Sequence, residues 1–556
     1  MAASAARERD IAELARRLAG LGGRRGAGVF ALSWWSDHLL ARAMTDPDLR
    51  ARLFRFVDTF PALAGPADVV EHLRGEFAGA AAPWWLRAGL ALGDVPGGRR
   101  VTTAVARRSI DRMARQFVIG TEPEEVAEAV GGMWASGSAA TVDLLGEHTH
   151  SDAEAARYAT RLAALVDALG AASNRWAPRP VLEHDDIGPV PRASVSVKVS
   201  ALSPVLHPLT AGRGVEQAQT LLLPILERAA ALGVSVWFDM ERYEEKALTQ
   251  ALFRRLLERP ELDMLHGGIV LQGYLRDAAD DLEALARWAT GRRIPPAVRL
   301  VKGAYWDTET VEAAARGWDP PVHLDKGATD AAFEELADAL HSYHGTLRAA
   351  FATHNLRSLA AAVVDGRRRA VPDTGYELQL LYGMAEPVHV AVRQAGFRLR
   401  VYAPMGELIP GMAYLVRRLL ENTANESFVR HRFAEGESLD KLLAPPMPAK
   451  APGRGPETNG HRRPHPGDLA PYRPEPPAQW HLPAVIEEIA MAVEAEFGRA
   501  PRQVRASRGS AGLALSSVDP ADPEVVVAHA AVCDEASVHA MVDAAAAASG
   551  AWRARP

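Results

Sequence analysis

Gly268-Ile269-Val270-Leu271-Gln272, then Asp280-Asp281-Leu282-Glu283-Ala284-Leu285-Ala286-Arg287-Trp288, then Val298-Arg299-Leu300-Val301-Lys302-Gly303: the fold turns on this stretch. The outer segments are short, nearly continuous apolar runs of strand length. The middle one brings Leu282, Leu285 and Ala286 to one side at helical spacing. The alternation extends both ways. Ala139–Glu147, Ser194–Ser200 and Val234–Asp239 precede it as strands; Ala350–His354, Tyr376–Leu380 and Arg398–Tyr402 follow. Eight strands separated by helical patterns predict an α/β protein, a parallel (β/α)8 TIM-like barrel. A doubly wound open sheet is the competitor. It usually carries a Gly-rich phosphate turn after an early strand, and no G-x-G-x-x-G stands in such a place.

Composition narrows the function classes. A formal net charge of -6 over 556 residues gives no general pull toward nucleic acid. The one cysteine, Cys533, excludes a disulfide within the chain and any cysteine-built zinc or iron–sulfur site. Met1-Ala2-Ala3-Ser4 runs straight into charged residues without a signal-peptide apolar core, and no apolar run is long enough to span a bilayer. A cytoplasmic protein is expected, with peripheral membrane contact left open. Residues 1–135 read as a helical arm or cap, 136–435 as the barrel, 436–480 as a Pro- and Gly-rich linker and 481–556 as a small further segment.

Polar residues gather at or near the C-terminal ends of the strands: Lys198, Asp239, Gln272, Arg299, Lys302, His354, Gln379 and Tyr402. That rim is where barrel chemistry happens. After the eighth strand comes a helix on which Tyr414, Arg417, Arg418 and Glu421 share one face. Alone, that face reads as a solvated stripe or as a grip on an anion, since paired guanidinium groups suit a carboxylate. Its place over the barrel rim favours the grip. His148-Thr149-His150 could hold a metal or be an exposed turn; the turn is the expectation, with no metal. His461-Arg462-Arg463 reads as a solvated run.

The chain resembles the proline dehydrogenase half of the bacterial bifunctional proline-utilisation proteins. The resemblance rests on Ser194–Leu202, Asp239-Met240-Glu241, Arg299–Asp307, Ala352–Asn355, Tyr376–Gln379, Gly383–Pro387 and the stretch from Val401 to Phe428, in the family's order. It implies an FAD-dependent barrel that oxidises L-proline to Δ1-pyrroline-5-carboxylate, with electrons passing to a quinone. Arg417, Arg418 and Lys198 would hold the proline carboxylate, and Tyr402, Tyr305 and Leu381 would flank its ring. Asp239 would orient Lys198. Arg299 would lie close to the isoalloxazine, with Gln272 and Gln379 hydrogen-bonding the ring. Lys302, Gly303, Ala304, Trp306 and Lys326 would hold the rest of FAD, together with Thr353, His354, Asn355, Arg418, Glu421 and Ser427. Trp306 and His354 each have a plain alternative as core residues.

Two departures stand out. Where family members of the bifunctional type commonly carry Thr-Arg-Lys, this chain has Leu324-Asp325-Lys326, which puts the cofactor's phosphate contacts in question. Val518–Pro523 and the helix ending near Trp552 resemble the first elements of the family's aldehyde dehydrogenase half, whose nucleotide-binding fold and cysteine nucleophile lie beyond Pro556. The NAD-dependent second step is therefore expected to be absent. A separately encoded aldehyde dehydrogenase and a homo-oligomer stay open as partners. A non-catalytic barrel serving as an interaction module is the alternative to an enzyme, and hydroxyproline an alternative substrate.

Overall fold

The structure is a computed structural model. It describes residues 2–22, 117–407 apart from Glu147, 439–447, 477–497, 501–505 and 513–555, with isolated residues and short stretches between 48 and 104. The chain divides into two compact units, residues 1–451 and 452–556.

In the first unit, helices α1 (Ala2–Leu21), α2 (Pro66–Phe77) and α3 (Pro123–Ala135) precede the barrel. The barrel strands are β1 (Ala139–Leu144), β2 (Ala193–Val197), β3 (Val234–Phe238), β4 (Gly267–Gln272), β5 (Ala297–Val301), β6 (Arg348–Ala352), β7 (Tyr376–Leu381) and β8 (Leu399–Met405). Between them run α4 (Asp152–Ser173), α5 (Ala211–Leu232), α6 (Tyr243–Leu257), α7 (Ala278–Ala289), α8 (Trp306–Arg316), α9 (Lys326–Ser342), α10 (Leu356–Arg368) and α11 (Glu386–Gln394). All eight strands pair in parallel and in sequence order, and β8 returns to β1 with Thr141 opposite Tyr402. The expected eight-stranded barrel is the fold. Its strand limits differ from the expected ones by a few residues, because strand pairing ends before the polar residues at 198–200 and 302–303.

Alternation sorts the strand side chains. Val195, Val197, Val236 and Phe238 face outward and join one core with the surrounding helices, Phe238 meeting Phe253 of α6 edge-on at 5.2 Å. Their neighbours Ser194, Ser196, Ser235 and Trp237 turn inward. Gly233 lets α5 stop directly against β3: its backbone is left-handed, φ +68°, which only glycine adopts at no cost.

Helix α1 is fastened to the barrel wall by charge as well as by packing. Arg7 donates two hydrogen bonds to Asp365, at 2.7 and 2.6 Å, and Glu8 pairs with Arg357 at 2.9 Å. At the opposite end from the rim, Arg348 and Arg398 tie the loop before β2 to the barrel floor, Arg348 through Asp185 at 3.1 Å and Arg398 through the carbonyls of Val181 and His184; Arg398 also donates to the carbonyl of Thr374, just before β7.

The second unit contains α12 (Pro483–Phe497), a three-stranded sheet of β9 (Arg502–Val504), β10 (Leu513–Val518) and β11 (Val526–Ala531) in the order β10-β11-β9, and α13 (Glu535–Arg553).

Candidate active site

The barrel interior is polar, and its side chains form a continuous chain of hydrogen bonds toward the rim. Arg400 donates to Glu377 at 2.9 Å, and Glu377 accepts from Gln379 at 2.6 Å. Gln379 in turn accepts from Arg299 Nε at 2.6 Å. Arg299 Nη1 donates to Asp239 at 2.8 Å and to Ser196 at 3.2 Å. Asp239 also accepts from Ser196 at 3.0 Å and from the Tyr402 hydroxyl at 2.6 Å. The guanidinium of Arg299 is stacked between Trp237 and Tyr402, 4.5 and 5.0 Å from their ring centres. Arg299 is 3% exposed. Such enclosure is tolerable for a charge only because a carboxylate and two aromatic faces share it.

Arg299, Gln379 and Tyr402 were expected near strand ends. Each lies within its strand, so they sit inside the barrel mouth rather than on its edge. Lys198, one residue beyond β2, completes the cluster. Its ammonium bonds to Asp143 of β1 and stands 3.9 Å from Asp239. The expected Asp239–Lys198 pairing is therefore the longer contact, because Asp239 already serves Arg299, Ser196 and Tyr402. Burial opposes the charge on Lys198, but Asp143 and then Asp239 hold its pKa above that of an ordinary lysine. Burial likewise pushes the Asp143 carboxyl up against the pull of Lys198. Asp143, Ser196, Trp237 and Glu377 are site residues that sequence reading did not single out. Asp143 and Glu377 each left the same signal, a carboxylate inside a short, largely apolar run.

A second group lines the rim from β4 to β7. Gln272 donates to the Glu241 carbonyl at 3.0 Å, while its own Oε1 is buried without a hydrogen-bond partner among the described residues. The same holds for Arg299 Nη2. A buried acceptor and a buried donor left open are costly and call for a polar partner, a water or the polar edge of a bound ring. A flavin carries both kinds of group on its ring, so these residues fit the cofactor the sequence led one to expect. Lys302 and Lys326 both bond to Asp330, Lys326 at 2.5 Å. Two ammonium groups on one carboxylate leave a net positive charge of about one, which suits a diphosphate. Burial lowers the Lys302 pKa against the pull of Asp330.

Gly303 has φ +131°, and a Cβ there would stand 2.4 Å from the Tyr274 ring, so the backbone approaches where no side chain fits. Ala304 and Trp306 are exposed beside it and Tyr305 half-buried; Trp306, 42% exposed, donates to the His323 carbonyl at 2.8 Å and is not a core residue. Thr353, His354 and Asn355 form the turn from β6 into α10. His354 Nε2 accepts from the backbone of Leu381 at 3.1 Å, and Asn355 caps α10 through Arg357 and Ser358. The side chains of Asn355 and Gln379 are thus engaged within the protein. Asp325 explains the departure beside Lys326: it is the N-cap of α9, accepting from Ala328 N at 2.8 Å. His148 is engaged by Glu245 at 2.5 Å and by Arg242 at 2.8 Å. No His, Cys, Asp and Glu grouping suited to a metal occurs among the described residues. Tyr414, Arg417, Arg418, Glu421, Ser427 and His461–Arg463 lie outside the described residues.

Comparison with known proteins gives a consistent result. The family model for proline dehydrogenase matches residues 126–431, more than half of the chain. The model for the N-terminal domain of proline utilization A matches residues 8–117. The bifunctional protein PutA of Klebsiella aerogenes is 34% identical over 350 residues, 61% of this chain and 25% of that protein. Proline dehydrogenase 1 of Bacillus subtilis is 30% identical over 316 residues, 57% of this chain and 89% of that one. Among solved structures, proline utilization A from Bdellovibrio bacteriovorus inactivated by N-propargylglycine matches with TM-score 0.84 and 31% identity, over 99% of this chain and 55% of the other. The match to the bifunctional relatives spans about a quarter of their length.

Proposed function

The chain belongs to the proline dehydrogenase family, and from that premise we propose that it oxidises L-proline to Δ1-pyrroline-5-carboxylate with FAD. We place it in the cytoplasm, with a quinone as electron acceptor reached by peripheral membrane contact; among the described residues no helix is long and apolar enough to cross a membrane. The observation that carries the reading is the buried Lys198–Asp143–Asp239–Arg299–Tyr402 cluster at the barrel mouth, beside the open hydrogen-bonding atoms of Gln272 and Arg299.

Proline bound as the ammonium loses a hydride from the ring carbon next to nitrogen and a proton from nitrogen, leaving the iminium. FAD, when bound, supplies the hydride acceptor. The chain's own work is binding, orientation and exclusion of water. Two cations, Lys198 and Arg299, already face two carboxylates, Asp143 and Asp239, so the described cluster is neutral in sum. A substrate carboxylate adds a negative charge and calls for further cations. Arg417 and Arg418, on the segment after β8, supply them in this reading. Tyr402 is fixed by its hydrogen bond to Asp239, so its ring has one orientation to offer the pyrrolidine. Tyr305 and Leu381 flank it. Arg299, with Nη2 open, would be among the residues that hold the cofactor's ring, and its guanidinium would supply a fixed positive charge there.

Supplied with FAD and an artificial electron acceptor, the protein should turn over L-proline. It should lose about 10- to 100-fold in kcat/KM with L-prolinamide, which lacks the carboxylate. Equal rates for the two would remove the carboxylate grip, and no turnover of L-proline would remove the reading.

A further inference from the structure

We infer that Asp143 is a positioning residue for the substrate, acting through Lys198: it keeps that ammonium charged and aimed into the barrel mouth. The inference rests on the reading of this site as the one that takes a proline carboxylate. Three observations carry it. First, the Asp143 side chain is 0% exposed and bonds directly to Nζ of Lys198, whose side chain is 13% exposed. Nothing but a countercharge makes so enclosed an ammonium affordable.

Second, among the described residues no other group is placed to take over. Among the described residues, the groups around Lys198 are Asp143 from β1, Asp239 and Glu241 from the end of β3, Tyr158 from α4 and Tyr402 from β8. Tyr158 faces the lysine backbone, its hydroxyl accepting from Lys198 N at 3.2 Å. Asp239 is committed on both oxygens, Oδ1 to Arg299 and Ser196 and Oδ2 to Tyr402, and is 3.9 Å away. Burial pushes the Glu241 carboxyl up just as it does that of Asp143, so contact separates the two: Asp143 bonds directly to the Lys198 ammonium, and Glu241 does not pair with it. Third, the position is fixed by the strands: β1 and β2 pair with Asp143 opposite Ser196, two residues before Lys198. A carboxylate anchored in a strand sets where the long lysine side chain ends, as an acid on a loop would not.

Asp143→Asn tests this by the pH dependence of KM for L-proline. Without the countercharge, burial should bring the Lys198 pKa below the ordinary lysine value of 10.5. KM should then rise roughly tenfold or more between about pH 7 and pH 9.5, with a smaller change in kcat, while wild type shows no such rise. Asp143→Glu should restore most of the flat profile. In a Lys198→Met background, Asp143→Asn should add no pH dependence. A flat, wild-type-like KM in Asp143→Asn overturns the inference, as does an equal effect in the Lys198→Met background.

A second measurement needs neither the variant's folding nor proline turnover. Competitive labelling of amines in the wild-type holoenzyme, read by mass spectrometry across pH, should show Lys198 titrating above the exposed lysines. Titration with them or below them overturns the inference even if proline proves not to be the substrate.

Discussion

Asp239 holds together three residues from three strands: Ser196 of β2, Arg299 of β5 and Tyr402 of β8. Replacing it with Asn removes the charge while leaving the shape. Arg299 would then be a buried cation without its carboxylate, a change that costs about 3–5 kcal/mol. Asp239→Asn should therefore lower the thermal midpoint by several degrees, and an unchanged midpoint would mean the pair is not structurally coupled. Gly303→Ala should be costly for a different reason. Its left-handed φ and the Tyr274 ring 2.4 Å from the new Cβ both oppose it, so a loss of about 1–3 kcal/mol is expected in denaturant unfolding. Lys198, Asp239, Arg299 and Tyr402 were legible in the sequence because each interrupts or ends an apolar run. Ser196 was not. Within one strand a small polar residue at alternate positions reads as a solvent face, and only closure of the barrel turns that face inward.

At the scale of elements, the turns after β5 and β6 decide where the polar side chains stand. Asp325 illustrates how local chemistry overrides a reading by position. Beside a supposed phosphate site it looked like a misplaced charge; it is the cap that starts α9. Asp325→Ala should cost about 1 kcal/mol of stability and Asp325→Asn much less, since Asn also caps. If both variants lose FAD affinity without losing stability, the cap is not the role that matters. The helix expected after β8 makes the opposite prediction. Arg417→Met should raise KM for proline by about 10-fold or more while leaving FAD affinity near wild type. Equal loss of both would make that helix structural only.

For the molecule as a whole, acid should act through buried histidines, among them His266 on the barrel floor and His341 and His389 on the surrounding helices. Burial, assisted by Arg348, lowers the His266 pKa to about 4. The unfolded chain therefore binds a proton that the folded chain refuses, and stability should fall as pH drops from about 6.5 toward 4. His266→Gln should make that part of the stability–pH curve shallower. Glu377 has the sign of an ordinary paired carboxylate: burial alone would raise its pKa, but Arg400 and Arg398 outweigh it and hold it low. Its contribution is present above the unfolded carboxylate range and is lost only below it. The two groups thus separate by pH in one titration of the thermal midpoint. The barrel was legible from alternation alone, since eight strands separated by helices leave few closed arrangements. The polarity of its interior was not, because it depends on contacts between residues as far apart as Ala140 and Arg400.

Oxidation of L-proline by FAD bound at this rim is read in the visible spectrum of the purified protein, loaded with FAD and mixed anaerobically with L-proline. The protein should be yellow, and its flavin absorbance should bleach on adding L-proline and return when an electron acceptor is added. A protein that cannot be loaded with FAD, or whose bound flavin stays yellow with L-proline, would contradict that oxidation.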